Sequence, residues 1–219
     1  YFTMGNVAAA QEMAFESNIG ALCDGNPRMT QRLVQTNLIY GAYPVAEKYI
    51  AVLENTFYYK DWAKAQRKFL YNDEAVETDP LLGNMRRNLL AENHLIQMDG
   101  FDTDLIRLAE QNPSNKAAFH YAGVFYLLAK DMTRFKTLVE TYYGTDLLPS
   151  LPVSFQEAVI ILSEKDPDYW KRFGVSESIV GRFTDYKRQV LAGRNNSNAL
   201  PGLMYRSYGD TYWYYYMFK

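Results

Sequence analysis

Proline and glycine recur along this 219-residue chain at the spacing of short helices, and between them apolar residues fall at three- and four-residue steps. That combination leaves little room for anything but helices joined by tight turns. Pro44 opens VAEKYIAVLENTF, Pro80 opens LLGNMRRNLLAENHLIQM and Pro152 opens VSFQEAVIIL. Each suits a first helical turn, where the missing N–H is no loss. Asp79 and Asp131 precede helical runs as N-caps. Gly144 and Gly193 stand where helix ends need a left-handed residue. Alternating strand-type runs are nearly absent before the C-terminal end, so the expectation is an all-α fold of about ten to twelve helices.

The helices repeat in part. GNVAAAQEMAFES begins at Gly5 and GAYPVAEKYIAVLEN at Gly41, 36 residues later. In each, a small residue follows five positions on (Ala10, Ala46), with Ala14 and Ser17, or Ile50 and Leu53, at matching positions beyond it. Glycine would end one helix, and the small residue would let the next cross close to it. A third hairpin is expected over residues 112–144. There Phe119, Ala122, Gly123 and Tyr126 would face Phe135, Val139 and Tyr142, with Lys130 at the glycine place. Its offset from Gly41 is not a whole number of repeats, and the stretch from Asp61 to Met98 follows another design.

These hairpins resemble tetratricopeptide repeats, whose period is roughly 34 residues. A narrower resemblance lies in NPRMTQRLVQTNLIYGAYPVAEKYIAVLENT and in the ending YGDTYWYYYMFK. Both are similar to a family of unknown function found in Bacteroidetes, whose longer members carry a polytopic membrane region ahead of a helical C-terminal domain. The resemblance implies a soluble domain tethered to a membrane protein through a missing N-terminal region, on the periplasmic side, with cytoplasm as the alternative. It brings no catalytic residues. The start YFTMGNV, with no initiator Met and no signal-peptide layout, reads as a piece of a longer protein.

Function classes narrow by subtraction. Net charge is −2 with Lys and Arg dispersed, so nucleic acid is not expected as a partner. The longest apolar runs, VFYLLA and AVIIL, fall far short of a membrane span. Cys23 is the only cysteine, and Asp24 beside it disfavours a thiolate nucleophile. His94 and His120 sit on different expected helices with no second ligand at metal spacing, so no metal and no cofactor are expected. Asp102 and Asp104, like Asp166 and Asp168, flank helix starts, where they serve the macrodipole. Asn195 opens an NNS triplet of the glycosylation type, a pattern common by chance. No nucleophile elbow, phosphate loop or dinucleotide fingerprint occurs, and no enzyme is expected.

Stacked helix pairs bind partners on the face made by the first helix of each pair. In the registers above, Arg28, Gln31 and Gln35 would line that face in one unit and His120 in another, although Thr30 and Asn37 fall on the supposed inner side.

The last 13 residues, SYGDTYWYYYMFK, hold seven aromatics. As a membrane anchor they are too short and have a single basic residue. As a ligand platform they carry more rings than a free end can present. The preferred reading is a final helix, capped by Asp210 and Thr211, that covers the open end of the stack. Tyr212, Tyr215, Tyr216 and Met217 would point inward, with Trp213 at the rim as a candidate binding residue.

The expected organisation is one helical-repeat-like domain: hairpins over 1–58, irregular helices over 59–111, the third hairpin over 112–144, and C-terminal helices with the aromatic cap over 145–219. The expected function is a non-catalytic interaction module for a peptide or protein partner. The alternative is a glycan- or lipid-linked-sugar-binding accessory domain of a membrane enzyme.

Overall fold

A computed structural model of the chain describes residues 1–20, 25–90, 100–164, 166, 168–194 and 198–219. Cys23, His94 and Asn195 lie outside the described residues. Among those described the fold is all-α, with thirteen α-helices and three short 3-10 segments. A lone bridge pairs Tyr143 with Leu148. The chain divides into two units, Tyr1–Tyr121 and Ala122–Lys219.

In the first unit, α1 (Val7–Ile19), α2 (Pro27–Ile39) and α3 (Tyr43–Glu54) pack in sequence, with α2 against both neighbours. Asn6 and Asn26 cap α1 and α2 by accepting from the N–H groups of Ala9 and Arg28. The turns before α1 and α3 are left-handed at Gly5 (φ 83°) and Gly41 (φ 72°), as the glycine spacing predicts. Ala10, Ala14, Ala46, Ile50 and Leu53 are all buried. Ser17, the matching position in α1, is exposed.

The stretch after Asp61 breaks into short helices: α4 (Lys60–Gln66), α5 (Asp73–Thr78) and α6 (Leu82–Arg87). The long helix expected after Pro80 therefore stops at Arg87. Asp79 still accepts from the N–H groups of Leu81 and Leu82, both at 2.9 Å, and so starts α6. Asn88 is its C-cap, and the Asn88 side-chain oxygen accepts from Asn112 Nδ2 at 2.6 Å.

Arg86 ties these short helices to α2. Its Nε and Nη2 donate to the carbonyls of Ile39 and Leu38 at 3.0 and 2.9 Å, at the C-terminal end of α2, where the Leu38 carbonyl also accepts from the Gly41 N–H. Its Nη1 meets Asp73 at 2.9 Å, and the Tyr43 hydroxyl donates to the same carboxylate. The unit continues with α7 (Phe101–Gln111), which carries Asp102 and Asp104 in its first turn. The boundary between the units falls within α8 (Lys116–Leu128).

The second unit contains α9 (Met132–Tyr142), α10 (Val153–Leu162), α11 (Glu177–Gly193), α12 (Leu200–Tyr208) and α13 (Tyr212–Phe218). Asp131 caps α9 by accepting from the Arg134 N–H. Lys130, at the expected glycine place, is left-handed at φ 54° despite its side chain. Phe135 and Phe155 meet edge to face at 5.1 Å in the core. A methyl group on Gly123 would run into the Phe155 ring, so glycine is required there for close approach. Gly144 is left-handed at φ 83°. Gly193 is not: it is the last residue of α11, and its missing side chain makes room for Leu200 Cδ1.

The tail forms the expected final helix, packed on α10 and α12. Thr211 caps it by accepting from the Tyr214 N–H. The hydroxyls of Tyr212 and Tyr215 donate to the carbonyls of Leu127 and Leu128, at 2.9 and 2.8 Å. These are final carbonyls of α8, which have no partners within their own helix.

Candidate functional site

Along α11, Phe183, Tyr186, Lys187, Val190 and Leu191 follow one another at steps of three and one, which puts all five on one stripe. Trp213, Tyr216 and Met217 do the same on α13. Between these stripes and the end of α10, at Ile161 and Glu164, lies a cleft of about 440 Å³. That is enough for a bulky side chain or a small ligand.

The floor is aromatic. Trp213 is 2% exposed and packs against Phe183 at 5.1 Å and Tyr186 at 6.0 Å. Its indole Nε1 is buried and has no hydrogen-bond partner. A buried donor in that state costs roughly 1–3 kcal/mol. The Tyr186 hydroxyl lies 3.3 Å from the Trp213 carbonyl and 3.2 Å from Met217 Sδ, and its one proton serves either acceptor. Burial, with Tyr214 nearby, pushes its pKa up to about 12, so it keeps its proton.

The rim is mixed. Leu191 is 62% exposed and Met217 51%. Lys187 Nζ lies 3.7 Å from the Glu164 carboxylate and 5.4 Å from the centre of the Phe183 ring. Both partners of that ion pair are about half exposed, so it adds orientation more than stability.

This geometry corrects the expected facing of the tail. Trp213, expected at the rim, is the most deeply buried of the tail's rings. Of the residues expected inward, Tyr212 is buried, Tyr215 is half-buried, and Tyr216 and Met217 are exposed. The cause is the anchoring of the helix start. The Tyr212 N–H donates to Glu157, and the Tyr212 and Tyr215 hydroxyls reach α8, which turns Trp213 toward α11.

The other predicted site residues lie in the first unit. Arg28 is exposed and Gln31 and Gln35 are half-buried along one side of α2. Gln35 Oε1 accepts from Arg32, whose guanidinium stacks over the Phe2 ring at 3.7 Å. Thr30 and Asn37 are buried and satisfied locally, Thr30 by the Asn26 carbonyl and Asn37 by that of Leu33. His120 is half-buried on α8 beside Phe119. Burial, and then the charge of Lys116, lower its pKa.

Sequence reasoning missed the α11 half of the cleft. Its signal was present as the regular stripe from Phe183 to Leu191, but a stripe of that kind looks the same whether it faces a core or a cleft.

The fold and the cleft define an all-α protein of short packed helices with an aromatic-lined cleft built by its C-terminal helices. The chain belongs to the family of unknown function DUF6057, which it matches over residues 1–219. No curated protein and no solved structure matches it. Among the described residues no helix is long and apolar enough to cross a membrane, and no three His, Cys, Asp or Glu side chains gather as a metal site would require.

Proposed function

We propose that this chain is a non-catalytic interaction module of a larger, membrane-tethered bacterial protein, and that it binds a peptide or protein partner. The observation that carries this reading is the cleft, with Trp213 as floor and Leu191 and Met217 as exposed walls. An apolar side chain fits such a lining. The tetratricopeptide-like character of the hairpins is supported by the shared left-handed turns at Gly5, Gly41 and Lys130. The membrane tether and the periplasmic side rest on the family resemblance of the two sequence stretches quoted above. The polar side of α2, with Arg28, Gln31 and Gln35, and His120 on α8 are secondary contact candidates.

The sugar-binding alternative needs aromatic faces open to solvent beside several free polar groups. Trp213 has its faces covered, and the polar pair at the rim, Lys187 and Glu164, is already engaged.

A random-sequence peptide library screened against the chain, followed by indole N–H NMR of the best binders, tests the reading. Binding through the cleft shifts the Trp213 resonance, and Met217→Glu or Leu191→Glu weakens it about tenfold, the loss of one good apolar contact. Peptides that shift only other resonances, or an oligosaccharide that alone moves the Trp213 signal, would overturn it.

A further inference from the structure

The turn between α3 and α4 ends in two almost fully exposed aromatic rings, Phe57 at 89% and Tyr58 at 88%. They meet edge to face at 5.1 Å and stand clear of the core. The turn beneath them is braced. Asn55 Nδ2 donates to the Ala51 carbonyl and the Thr56 hydroxyl to that of Leu53, which closes the end of α3. Tyr59 and Trp62, directly after the tip, pack against the first unit's core. The two rings are therefore held outward by a built turn.

Along the chain the local charge leans basic, although Glu47 also lies 3.6 Å from Arg67. From Glu54 to Lys68 the chain has four cations, Lys60, Lys64, Arg67 and Lys68, against two carboxylates, Glu54 and Asp61, although the whole chain is at −2. Arg67 holds Glu54 through two hydrogen bonds of 2.7 and 2.9 Å. Lys60, Lys64 and Lys68 are exposed and form no ion pair among the described residues. Lys60 and Lys64 are one helical turn apart on the same face of α4.

We infer that the Phe57–Tyr58 tip inserts into the headgroup layer of an anionic bilayer while Lys60 and Lys64 contact its phosphates. A convex pair of rings needs a soft medium that closes around it. Phe contributes apolar area, and Tyr places its hydroxyl at headgroup depth. Unpaired lysines beside the rings supply the attraction to anionic lipid. The inference is independent of the cleft, which lies in the other unit.

Flotation of the 219-residue chain with phosphatidylglycerol-rich vesicles, and with pure phosphatidylcholine vesicles, tests it. The expected result is binding to the anionic vesicles that weakens with salt. The double variant Phe57→Ser with Tyr58→Ser, and the double variant Lys60→Glu with Lys64→Glu, each lower it about tenfold or more. All four residues are exposed, and an unchanged circular dichroism melt confirms that these variants fold. Met217→Glu leaves vesicle binding as it was. No flotation of the wild-type chain, equal flotation of the tip variants, or equal binding to both vesicle types overturns the inference. Sedimentation without lipid covers the remaining occupant: a dimer abolished by the Phe57 and Tyr58 changes would assign the tip to a second copy of the chain.

Discussion

The main-chain N–H of Tyr212 donates to the Glu157 carboxylate at 2.7 Å, joining residues 55 apart in sequence. Glu157 is only 4% exposed, and burial raises its pKa above the usual carboxylate value, with Asp210 adding to the rise. The Tyr212 hydrogen bond and the charge of Arg182 work against that shift. Because the folded pKa lies above the unfolded one, this group favours the fold most below about pH 4.3, and that contribution is lost as pH rises through the folded value. Glu157→Gln keeps an acceptor for Tyr212 and removes the charge, so it is expected to raise stability at pH 7.5 and to lose its advantage toward pH 4. Glu157→Ala leaves the Tyr212 N–H without its acceptor and is expected to cost about 1–3 kcal/mol. Urea denaturation of the three proteins across that pH range reads both effects.

Arg86 makes a second prediction. It reaches two main-chain carbonyls at the end of α2 and the Asp73 carboxylate at once, which only a planar fork with several donors can do. Arg86→Ala is expected to destabilise the first unit by about 1–3 kcal/mol, by removing the Arg86 donor from the Ile39 carbonyl and the cation from Asp73. Arg86→Lys should recover less than half of that loss. Thermal melts of both variants decide the matter, and full rescue by lysine would reduce the role of Arg86 to its charge.

Removing residues 207–219 tests the tail. Tyr212, Trp213 and Tyr214 are all buried, and each contributes roughly 2–3 kcal/mol through apolar burial. Their sum is comparable to the roughly 5–15 kcal/mol that holds a whole domain together. A chain ending at Arg206 is therefore expected to lose the cooperative melt of the second unit. Differential scanning calorimetry would show that transition missing, whereas an intact transition would make the tail an accessory.

His120 moves opposite to Glu157. Its pKa is lowered by burial and by Lys116, so the folded chain takes up its proton less readily than the unfolded one. Its contribution is present above about pH 6.5 and is lost as pH falls below that value. An NMR titration should place the His120 transition on the acid side of an unperturbed histidine, and His120→Gln should flatten the stability profile between pH 7 and 5.

The fold class was legible in the sequence because glycine and proline report backbone geometry directly. Gly5 and Gly41 mark left-handed turns that other residues adopt at a cost, and both turns form. Lys130 adopts the same conformation without announcing it, since no residue-type rule selects lysine there. Past the last of the short helices, Asn88 is held by Asn112, a partner 24 residues away that local sequence does not reveal. The tail's orientation was illegible for a different reason. From Tyr212 to Phe218 every residue is apolar or aromatic, so no periodicity selects a face. Contacts with distant residues, among them Tyr212 with Glu157 and Tyr214 with the Pro201 carbonyl, fix the rotation, and none of them can be read from local sequence.

The burial of Trp213 also orders events during biosynthesis. A ribosome makes residues up to Tyr121 well before it reaches the tail, so the first unit has its chain available early. The second unit does not. Phe183 and Tyr186 emerge without their covering ring and stay uncovered until Tyr212 to Phe218 have been made and released. Over that interval the nascent chain displays an aromatic surface that the finished protein hides, the kind of surface that makes partly folded chains prone to aggregate.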